Sequence, residues 1–365
     1  MAARSASDPS NPRCEERRDK VSGTHRVHFD PVGLEIEVEE DETVLDGAFR
    51  QGVMLMHGCK EGQCSACKSF LIEGDIDMEK YSTFALADYE SEEGYVLLCR
   101  THAYSDLQIE LINYDEEMLK SGIPIQQLVT TVRVNEALTH DIRRLVLDLV
   151  EPRAVAFLPG QYVDITIPGT TAHRSFSMAN TPTTDNELEF FIKCYPGGHF
   201  SGLLEEGLPV GQELAVKGPY GTFVLRESAA RLIFIGGGAG MAPIISLLTS
   251  MAEQGIDRPA TYYYGARTEA DLFHLAELAA LGGRLPSLSF VPALSHDLPD
   301  SGWTGETGFV TDVLDRSEGD LADADLYLCG PPPMIDAAIA VLVAKGADEK
   351  RIFFDKFTTT AGSEE

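Results

Sequence analysis

Apolar and polar residues alternate along residues 26–38, on both sides of the turn Asp30-Pro31-Val32-Gly33, a pattern typical of a β-hairpin. A short helix is predicted next, because Thr43 is a residue type that caps helix N-termini and Gly52 is one that ends helices. Further strands are predicted at Lys68–Glu73, Val96–Leu98 and Leu107–Leu111. Residues 25–119 are therefore expected to form one small α+β domain.

The pattern changes after residue 119. Gly122 and Pro124 lie within residues 120–126, which we interpret as a linker because both residue types interrupt regular structure. Short alternating or β-branched segments follow at Val129–Val134, Arg144–Leu149, Gln161–Ile167, Glu187–Lys193 and Glu213–Lys217. Short antiparallel strands at this spacing predict a six-stranded antiparallel β-barrel over residues 127–228.

The last third of the chain alternates between strands and helices. Leu232–Ile235 is a continuous apolar run, as expected for a parallel strand covered on both faces. Further strands are predicted at Thr261–Tyr264, Ser289–Ala293, Asp325–Leu328 and Arg351–Phe354, with helices centred near Leu275 and Ile339. A strand–helix–strand succession gives a right-handed parallel sheet, so residues 229–357 are predicted to form an α/β domain.

The two ends of the chain are read as tails, residues 1–24 and 358–365. The first is polar and charged, and no apolar run of a signal peptide follows its basic residues, so we expect a disordered segment and not a targeting sequence. No stretch approaches the roughly 18 apolar residues of a transmembrane helix. A cytoplasmic protein with no membrane partner is therefore expected.

The 365-residue chain carries a formal net charge of −29, which argues against binding to nucleic acid, whose phosphates require a basic face. Residues 25–120 contain 22 acidic and 7 basic residues, a net charge of −15. Solubility alone would explain this concentration of acids. An acidic surface that steers a basic redox partner would explain it equally well, and the sequence leaves both interpretations open.

Four cysteines have the spacing of a metal centre. Cys59, Cys64 and Cys67 follow the pattern C-x4-C-x2-C, and 31 residues separate Cys67 from Cys99. This is the ligand spacing of a plant-type [2Fe–2S] cluster, in which one tight loop supplies three thiolates and another part of the fold supplies the fourth. Glycines in the loop permit backbone angles that aim amides at the cluster sulfurs. The four cysteines are therefore predicted to bind iron.

Structural zinc is the competing interpretation of these cysteines. Zinc sites usually pair two C-x2–4-C or H-x3–5-H units, and Cys99 has no such neighbour. Disulfides are not expected, because nothing marks the chain as secreted. The remaining cysteines, Cys14, Cys194 and Cys329, suit a reducing compartment.

The segment Arg174–Asn180 contains the groups that a flavin dinucleotide requires. Arg174 offers a guanidinium for phosphate, Phe176 a ring for the isoalloxazine, and Ser177 a hydroxyl near its reactive nitrogen. Alternation along an extended segment is expected to turn all three to one side. Asn180 closes the segment and is also counted as cofactor-binding.

Gly197, Gly198 and Ser201 are predicted to present backbone amides to the flavin pyrophosphate, through a helix start or a turn. An ordinary strand explains the Arg174–Asn180 segment when it is taken alone. Its context is more specific, with Pro159-Gly160-Gln161-Tyr162 upstream and Gly218-Pro219-Tyr220-Gly221-Thr222-Phe223 downstream. In order and spacing these stretches resemble the ferredoxin–NADP-reductase superfamily.

The apolar strand ending at Ile235 leads into Gly236-Gly237-Gly238-Ala239-Gly240-Met241-Ala242-Pro243 and then a helix. A strand, a glycine turn and a helix in this order are typical of a nucleotide-phosphate site. Met241 stands where the common dinucleotide fingerprint has its third glycine. The turn instead resembles the G-G-x-x-G-x-x-P turn of the reductase superfamily, which makes Gly236, Gly238, Gly240 and Pro243 candidate cofactor-binding residues.

Cys329-Gly330-Pro331-Pro332 follows the strand ending at Leu328, and open α/β sheets hold ligands at such strand ends. From the residues alone, Cys329 is more simply explained as a small buried core residue. The resemblance implies that Cys329 contacts nicotinamide, with Gly330 and Pro331 beside it. Asp355-Lys356-Phe357 resembles the acidic-x-aromatic terminus of the superfamily, which implies that the ring of Phe357 covers the flavin, although core packing is the alternative.

The three domains in this order resemble the reductase component of soluble di-iron monooxygenases of the propane and methane type, whose first domain is a β-grasp ferredoxin. The resemblance implies FAD, a [2Fe–2S] cluster, NADH and a di-iron hydroxylase as electron acceptor. NADH gives up a hydride and a cluster takes single electrons, so a flavin between them is chemically required. The alternatives are the reductase of a Rieske ring-hydroxylating dioxygenase and a non-enzymatic iron–sulfur redox sensor.

NADH is expected over NADPH. The residues after the predicted strand Thr261–Tyr264 normally surround the adenosine ribose. Arg267 lies there and is able to pair with a 2′-phosphate, but Glu269 and Asp271 follow at once and no cluster of cations accompanies it.

Overall fold

The computed structural model describes residues 23–120, 122–184, 186–296 and 302–357. Residues 1–22 of the predicted N-terminal tail, with Cys14, and the predicted C-terminal tail lie outside the described residues. Contacts divide the chain into two compact units: the first ends at Gln126 and includes Tyr220–Thr222, and the second comprises Gln127–Pro219 and the residues from Phe223 onward. Within the described ranges no helix is long and apolar enough to span a bilayer.

The first unit is an α+β fold. Its strands are β1 (Thr24–Asp30), β2 (Leu34–Glu39), β3 (Lys68–Glu73), β4 (Ile76–Met78), β5 (Tyr95–Leu97), β6 (Thr101–Ala103) and β7 (Leu107–Leu111), and its helices are α1 (Val44–Arg50), α2 (Asp88–Glu93) and α3 (Glu116–Leu119). Five strands form a sheet in the order β2-β1-β7-β3-β5, and β4 pairs with β6. β1 runs parallel to β7 and antiparallel to β2. The predicted β-grasp fold is confirmed.

Period-two burial and one helix cap explain this local structure. Val27 and Phe29 of β1 are buried with Ile36 and Val38 of β2 on the same face of the hairpin. The side-chain oxygen of Thr43 accepts a hydrogen bond of 3.1 Å from the Asp46 amide and so caps α1, as predicted. The sequence did not predict α2, α3 or the β4–β6 pair, because α2 buries none of its residues and β4 and β6 are too short to show a period.

The first part of the second unit is a six-stranded antiparallel sheet that nearly closes into a barrel. It contains β8 (Gln126–Ala137), β9 (Ile142–Glu151), β10 (Tyr162–Thr166), β11 (His173–Ser177), β12 (Glu187–Lys193) and β13 (Glu213–Tyr220), with helix α4 (His199–Glu205) before β13. The strand order is β11-β10-β13-β8-β9-β12. Leu145, Leu147, Ile165, Leu188 and Phe190 are buried in its core. The predicted barrel is confirmed.

The rest of the second unit is a parallel sheet with helices. Its elements are β14 (Arg231–Gly237), α5 (Met241–Gln254), β15 (Ala260–Ala266), α6 (Leu275–Arg284), β16 (Leu288–Leu294), β17 (Glu306–Thr307), α7 (Val310–Ser317), β18 (Ala324–Gly330), α8 (Pro332–Ala344) and β19 (Ile352–Lys356). The strand order β17-β16-β15-β14-β18-β19 places the first strand, β14, in the middle of the sheet. All these pairs are parallel, which confirms the predicted α/β fold.

Two details of the α/β prediction were wrong or incomplete. The helix expected to be centred near Leu275 begins there, because Glu269–Asp271 forms a separate 3₁₀ turn in front of it. The helix α7 was not predicted, although it buries Val310, Val313 and Leu314. These three residues have the i, i+3, i+4 spacing of an amphipathic helix, but the eight residues of α7 are fewer than the roughly 11 over which such a period is usually assessed.

Candidate functional site

The four predicted iron ligands come together in the first unit as two close pairs. The Sγ atoms of Cys67 and Cys99 are 3.4 Å apart, and both residues are buried. Cys59 and Cys64 are partly exposed, and the Cys59 amide lies 3.4 Å from the Cys64 Sγ. The Leu98 amide donates over 3.2 Å to the Cys67 carbonyl, so the segment that delivers Cys99 lies against the end of the cysteine loop. Four thiol ligands at this separation fit an iron–sulfur cluster.

The loop aims its backbone at these sulfurs. The amides of Glu61 and Gln63 donate to the Cys59 Sγ over 3.4 and 3.2 Å. The Cys64 thiol and these amides together lower the pKa of Cys59 to about 5. Gly62 has a φ of +69°, and a Cβ there would lie 2.9 Å from Tyr81, so this turn favours glycine. Amides aimed at sulfur in this way would support thiolate ligands of a cluster.

Two of the predicted flavin contacts lie on one face of β11. Arg174 and Phe176 stand opposite Ile165 and Val163 of β10, and the Phe176 ring lies 5.0 Å from that of Phe200. The Arg174 guanidinium donates to the His173 carbonyl over 2.8 Å and makes no ion pair within the described residues. A guanidinium without a carboxylate partner fits a phosphate-binding role.

The prediction that Ser177 faces the same way as Arg174 and Phe176 is wrong. Side chains alternate along β11, so positions 174 and 176 share one face and position 177 takes the other. Ser177 is buried, and its hydroxyl donates to the Asp355 carboxylate over 3.3 Å. The hydroxyl is therefore brought to the end of the parallel sheet.

The other predicted cofactor-binding residues of the barrel form hydrogen bonds mainly with the barrel itself. The Asn180 amide nitrogen donates to the Glu187 carbonyl over 2.8 Å, and its oxygen accepts from the Glu189 amide over 2.9 Å. These bonds give the side chain a structural role. Gly197 has a φ of +76°, Gly198 caps α4, and the Ser201 hydroxyl accepts from the Tyr195 amide over 3.0 Å. The predicted pyrophosphate stretch is thus a helix start.

The glycine turn follows β14 at the carboxyl edge of the parallel sheet. Gly238–Gly240 forms a 3₁₀ turn, and Pro243 is the third residue of α5. A Cβ on Gly240 would lie 2.1 Å from the Cys329 carbonyl oxygen, and one on Gly236 would lie 2.7 Å from the Tyr262 hydroxyl. The turn therefore packs directly on the end of β18, with no room for a side chain at these two positions.

The end of β18 continues this close packing. Gly330 has a φ of +142°, and a Cβ there would lie 2.9 Å from the Gly237 carbonyl oxygen. Pro331 caps α8. The glycine turn and the Cys329–Pro331 segment, predicted separately, are neighbours at one sheet edge.

The three predicted catalytic residues meet around Asp355. Cys329 on β18 and Asp355 on β19 are partners in the parallel register. The Phe357 amide donates to the Gly330 carbonyl over 2.9 Å, and its side chain packs partly on the core of the α/β sheet. Burial raises the pKa of the Cys329 thiol, and the charge of Asp355 adds to the increase. Ser177, Cys329 and Phe357 are thus brought together although they are far apart in the sequence.

Asp355 is the residue that the sequence analysis missed as a site member. Burial raises its pKa to about 6, against the opposing effect of the Ser177 hydrogen bond. Its position in an acidic-x-aromatic end was noted, but its contact with Ser177 depends on the pairing of β19 and on the barrel. A strongly perturbed carboxyl beside a thiol and a hydroxyl is typical of a functional site.

The raised pKa of Asp355 predicts a change in stability with pH. A carboxyl whose pKa is higher in the folded than in the unfolded chain contributes stability below about pH 4, and this is lost as pH rises through about 6. Asp355→Asn should therefore gain thermal stability relative to the parent protein as pH rises from 5.2 to 7.5. Melting temperatures of both proteins across this range measure the difference. The exposed Asp323, changed to Asn, serves as the control, and an equal gain there would contradict the argument.

The candidate for nucleotide selection, Arg267, is engaged by acids. It follows β15, and its guanidinium contacts Asp271 over 2.8 Å and Asp141 over 2.7 Å. Both carboxylates raise the pKa of Arg267. Glu269, the other acid of the turn, makes no ion pair with any residue that the structure describes.

Comparisons with known proteins agree with the three-part architecture. Residues 27–104 match the 2Fe-2S iron-sulfur cluster binding domain, residues 129–225 the oxidoreductase FAD-binding domain, and residues 234–339 the oxidoreductase NAD-binding domain. Fold and site together define a flavin- and nicotinamide-dependent reductase of the ferredoxin–NADP-reductase type with an added [2Fe–2S] ferredoxin domain.

The chain is 55% identical, over 95% of its length and 95% of the other protein, to the propane 2-monooxygenase reductase component of Rhodococcus jostii. It is 34% identical to the toluate 1,2-dioxygenase electron transfer component of Pseudomonas putida, over 93% of this chain and 100% of that one. The cytochrome P450 reductase GcoB of Amycolatopsis has a similar structure, with a TM-score of 0.83, 30% identity and coverage of 92% and 99%.

The chain belongs to the family of iron–sulfur flavoprotein reductase components of monooxygenases. It is an NADH-dependent oxidoreductase with FAD, NAD and [2Fe–2S] domains. Membership in this family resolves two alternatives, since it favours an iron–sulfur cluster over zinc and an enzyme over a redox sensor. The roles of the individual side chains remain predictions.

Proposed function

We propose that this chain is the reductase component of a soluble propane-type hydrocarbon monooxygenase and passes electrons from NADH through FAD and the cluster to a di-iron hydroxylase. The observation that carries the proposal is the 55% identity across 95% of both chains to a propane 2-monooxygenase reductase component. The similarity covers all three domains.

The cofactor assignments are part of this proposal. In it, the ferredoxin domain spans residues 25–119, the flavin domain 127–228 and the nucleotide domain 229–357. The cluster ligands are Cys59, Cys64, Cys67 and Cys99. The residues that hold FAD are Arg174, Phe176, Ser177, Gly197 and Gly198, and those that hold NADH are Gly236, Gly238, Gly240, Pro243, Gly330 and Pro331.

Bound flavin accepts a hydride from NADH and releases electrons one at a time. Around the flavin, residues of this chain would bind FAD and NADH and orient them. Arg174 offers its guanidinium to phosphate, and the glycine turn before α5 lets a nucleotide approach the backbone. Ser177, held by Asp355, and Cys329 at the end of β18 provide polar and thiol groups where the nicotinamide would meet the flavin.

An exposed aromatic residue in an acidic segment supports a protein as the acceptor. The side chain of Phe84 is 98% exposed, and residues 81–99 contain four acids and no Lys, Arg or His. The Ser82 amide donates over 2.9 Å to the carbonyl of Gly62, whose own amide bonds to the Cys99 sulfur. An apolar group among acids, directly connected to the cluster loop, suits docking of a hydroxylase with an apolar pocket and a basic rim.

The experiment that tests the proposed function combines composition with electron delivery. The purified protein should contain one FAD and two irons per chain. With NADH it should reduce the hydroxylase component of a propane monooxygenase and support propane oxidation in the reconstituted system. Zinc in place of iron would contradict the cluster, and reduction of a Rieske oxygenase but not of the hydroxylase would contradict the partner.

The second candidate acceptor is a Rieske ring-hydroxylating dioxygenase, and the 34% identity to a toluate 1,2-dioxygenase electron transfer component favours it. That similarity is lower than the similarity to the propane 2-monooxygenase component. We place the protein in the cytoplasm, because four of its seven cysteines are assigned to the cluster and the remaining three suit a reducing compartment.

A further inference from the structure

The guanidinium of Arg267 stands at the end of the second strand of the nucleotide domain, where nucleotide-binding α/β folds meet the adenosine ribose. Its Nη2 atom lies 2.8 Å from Asp271 Oδ1, 2.7 Å from Asp141 Oδ2 and 3.2 Å from His140 Nε2. Asp271 belongs to the same turn. Asp141 does not, since it comes from the connection between β8 and β9 in the barrel.

Asp141 is held firmly where it meets Arg267. Its Oδ1 accepts from the Thr139 hydroxyl over 3.1 Å, and its Oδ2 also pairs with Lys193. Partial burial works against its ionisation, but Lys193 and Arg267 keep the pKa of Asp141 below the ordinary value. The carboxylate is therefore ionised and correctly placed at neutral pH.

The positive and negative charges around the Arg267 guanidinium are equal in number. Two cations, Arg267 and Lys193, face two carboxylates, Asp141 and Asp271. A 2′-phosphate that approached Arg267 would have to displace a carboxylate already bonded to it, and it would be repelled by both. A ribose that carries only a 2′-hydroxyl meets neither penalty.

We infer that Asp141 is a specificity-determining residue for the nicotinamide nucleotide: by engaging Arg267 from the flavin barrel, it excludes the 2′-phosphate of NADPH. Selection of NADH is then shared between two domains. Asp141 acts through Arg267 and is a positioning residue. The inference rests on the proposed binding of NADH at this sheet edge.

The test is steady-state ferricyanide reduction by the holoenzyme with NADH and with NADPH at low salt. Asp141→Asn keeps the shape of the side chain and removes one negative charge, so kcat/KM for NADPH should rise about tenfold relative to that for NADH. High salt should reduce the gain, because exposed charges are screened. Adding Arg267→Gln to Asp141→Asn should abolish the gain in NADPH specificity.

Glu269→Gln is the matched control, because it removes one negative charge from the turn beside Arg267 without breaking a contact to Arg267. A gain that persists in the double variant, a gain as large in Glu269→Gln, or no gain in Asp141→Asn would each overturn the inference.

Two further results distinguish a failure of this inference from a failure of the proposed function. If Asp141→Asn does not fold, Asp141→Ser, which removes the same charge, takes its place and should show the same gain. Arg267→Gln alone should not raise the ratio of NADPH to NADH specificity, because it leaves both carboxylates without the arginine, and a rise would overturn the inference. Absence of NADH activity in the parent protein would contradict the proposed function, whatever the variants do.

Discussion

Cys64→Ala is expected to remove the [2Fe–2S] cluster and stop electron delivery to the hydroxylase, while NADH still reduces ferricyanide. The Cys64 sulfur is one of four that meet in the first unit, and it accepts a contact from the Cys59 amide. Without one thiolate the cluster loses a ligand, and iron should fall from about two atoms per chain to near zero. The residues proposed for hydride transfer, Ser177, Cys329 and Phe357, belong to the second unit, so flavin reduction should continue.

Iron analysis, visible absorption and the two activities measure this outcome. Cys194→Ala is the control, because it makes the same substitution at a buried thiol in the barrel core, away from the cluster loop. That variant should keep its iron. An intact cluster spectrum in Cys64→Ala would remove Cys64 from the ligand set, and loss of ferricyanide activity would show that the units do not work independently.

Gly240→Ala is expected to destabilise the nucleotide domain strongly and abolish NADH-dependent activity. The added Cβ would lie 2.1 Å from the carbonyl oxygen of Cys329 and 2.5 Å from its carbonyl carbon. Both are backbone atoms of β18, which is paired on both sides within the sheet, so neither is able to move aside. Overpacking against backbone belongs to the largest single-residue effects, about 4 kcal/mol, which corresponds to a melting temperature lower by roughly 10 °C.

Thermal unfolding of the holoenzyme gives the measurement, and α6 of the same domain supplies the control. A Cβ on Gly282 meets nothing within 4 Å, so Gly282→Ala should be neutral or stabilising by up to about 1 kcal/mol, as usual for alanine in a helix. A melting temperature unchanged by Gly240→Ala would mean that the turn does not pack on β18 as described.

Local patterns were enough to predict the three fold classes. The hairpin of β1 and β2 was identified by alternating apolar residues, because these strands are buried on one face. The strand β14 was identified by an unbroken apolar run, because it is buried on both faces. The cysteine spacing was equally direct, since three of the four sulfurs come from one loop. Helix α7 was missed because its eight residues show the i, i+3, i+4 apolar spacing only once.

What the sequence did not reveal depends on long-range pairing. Asp355 meets Ser177 only because β19 joins the sheet next to β18 and the barrel brings β11 to its end. Asp141 reaches Arg267 from a different domain, so no local motif contains both. The wrong orientation of Ser177 has a simpler origin, because adjacent residues of a strand cannot share a face.

The exposed Phe84 and the acids of residues 81–99 are confined to the first unit, whereas the residues proposed for hydride transfer belong to the second. If this segment is the docking surface, natural selection can act on the two functions separately. A lineage that acquires a different terminal oxygenase needs to change only a short surface segment, and the chemistry of NADH oxidation is inherited without modification. Relatives named for propane and for toluate oxidation are what such recruitment of one ancestral reductase would leave behind.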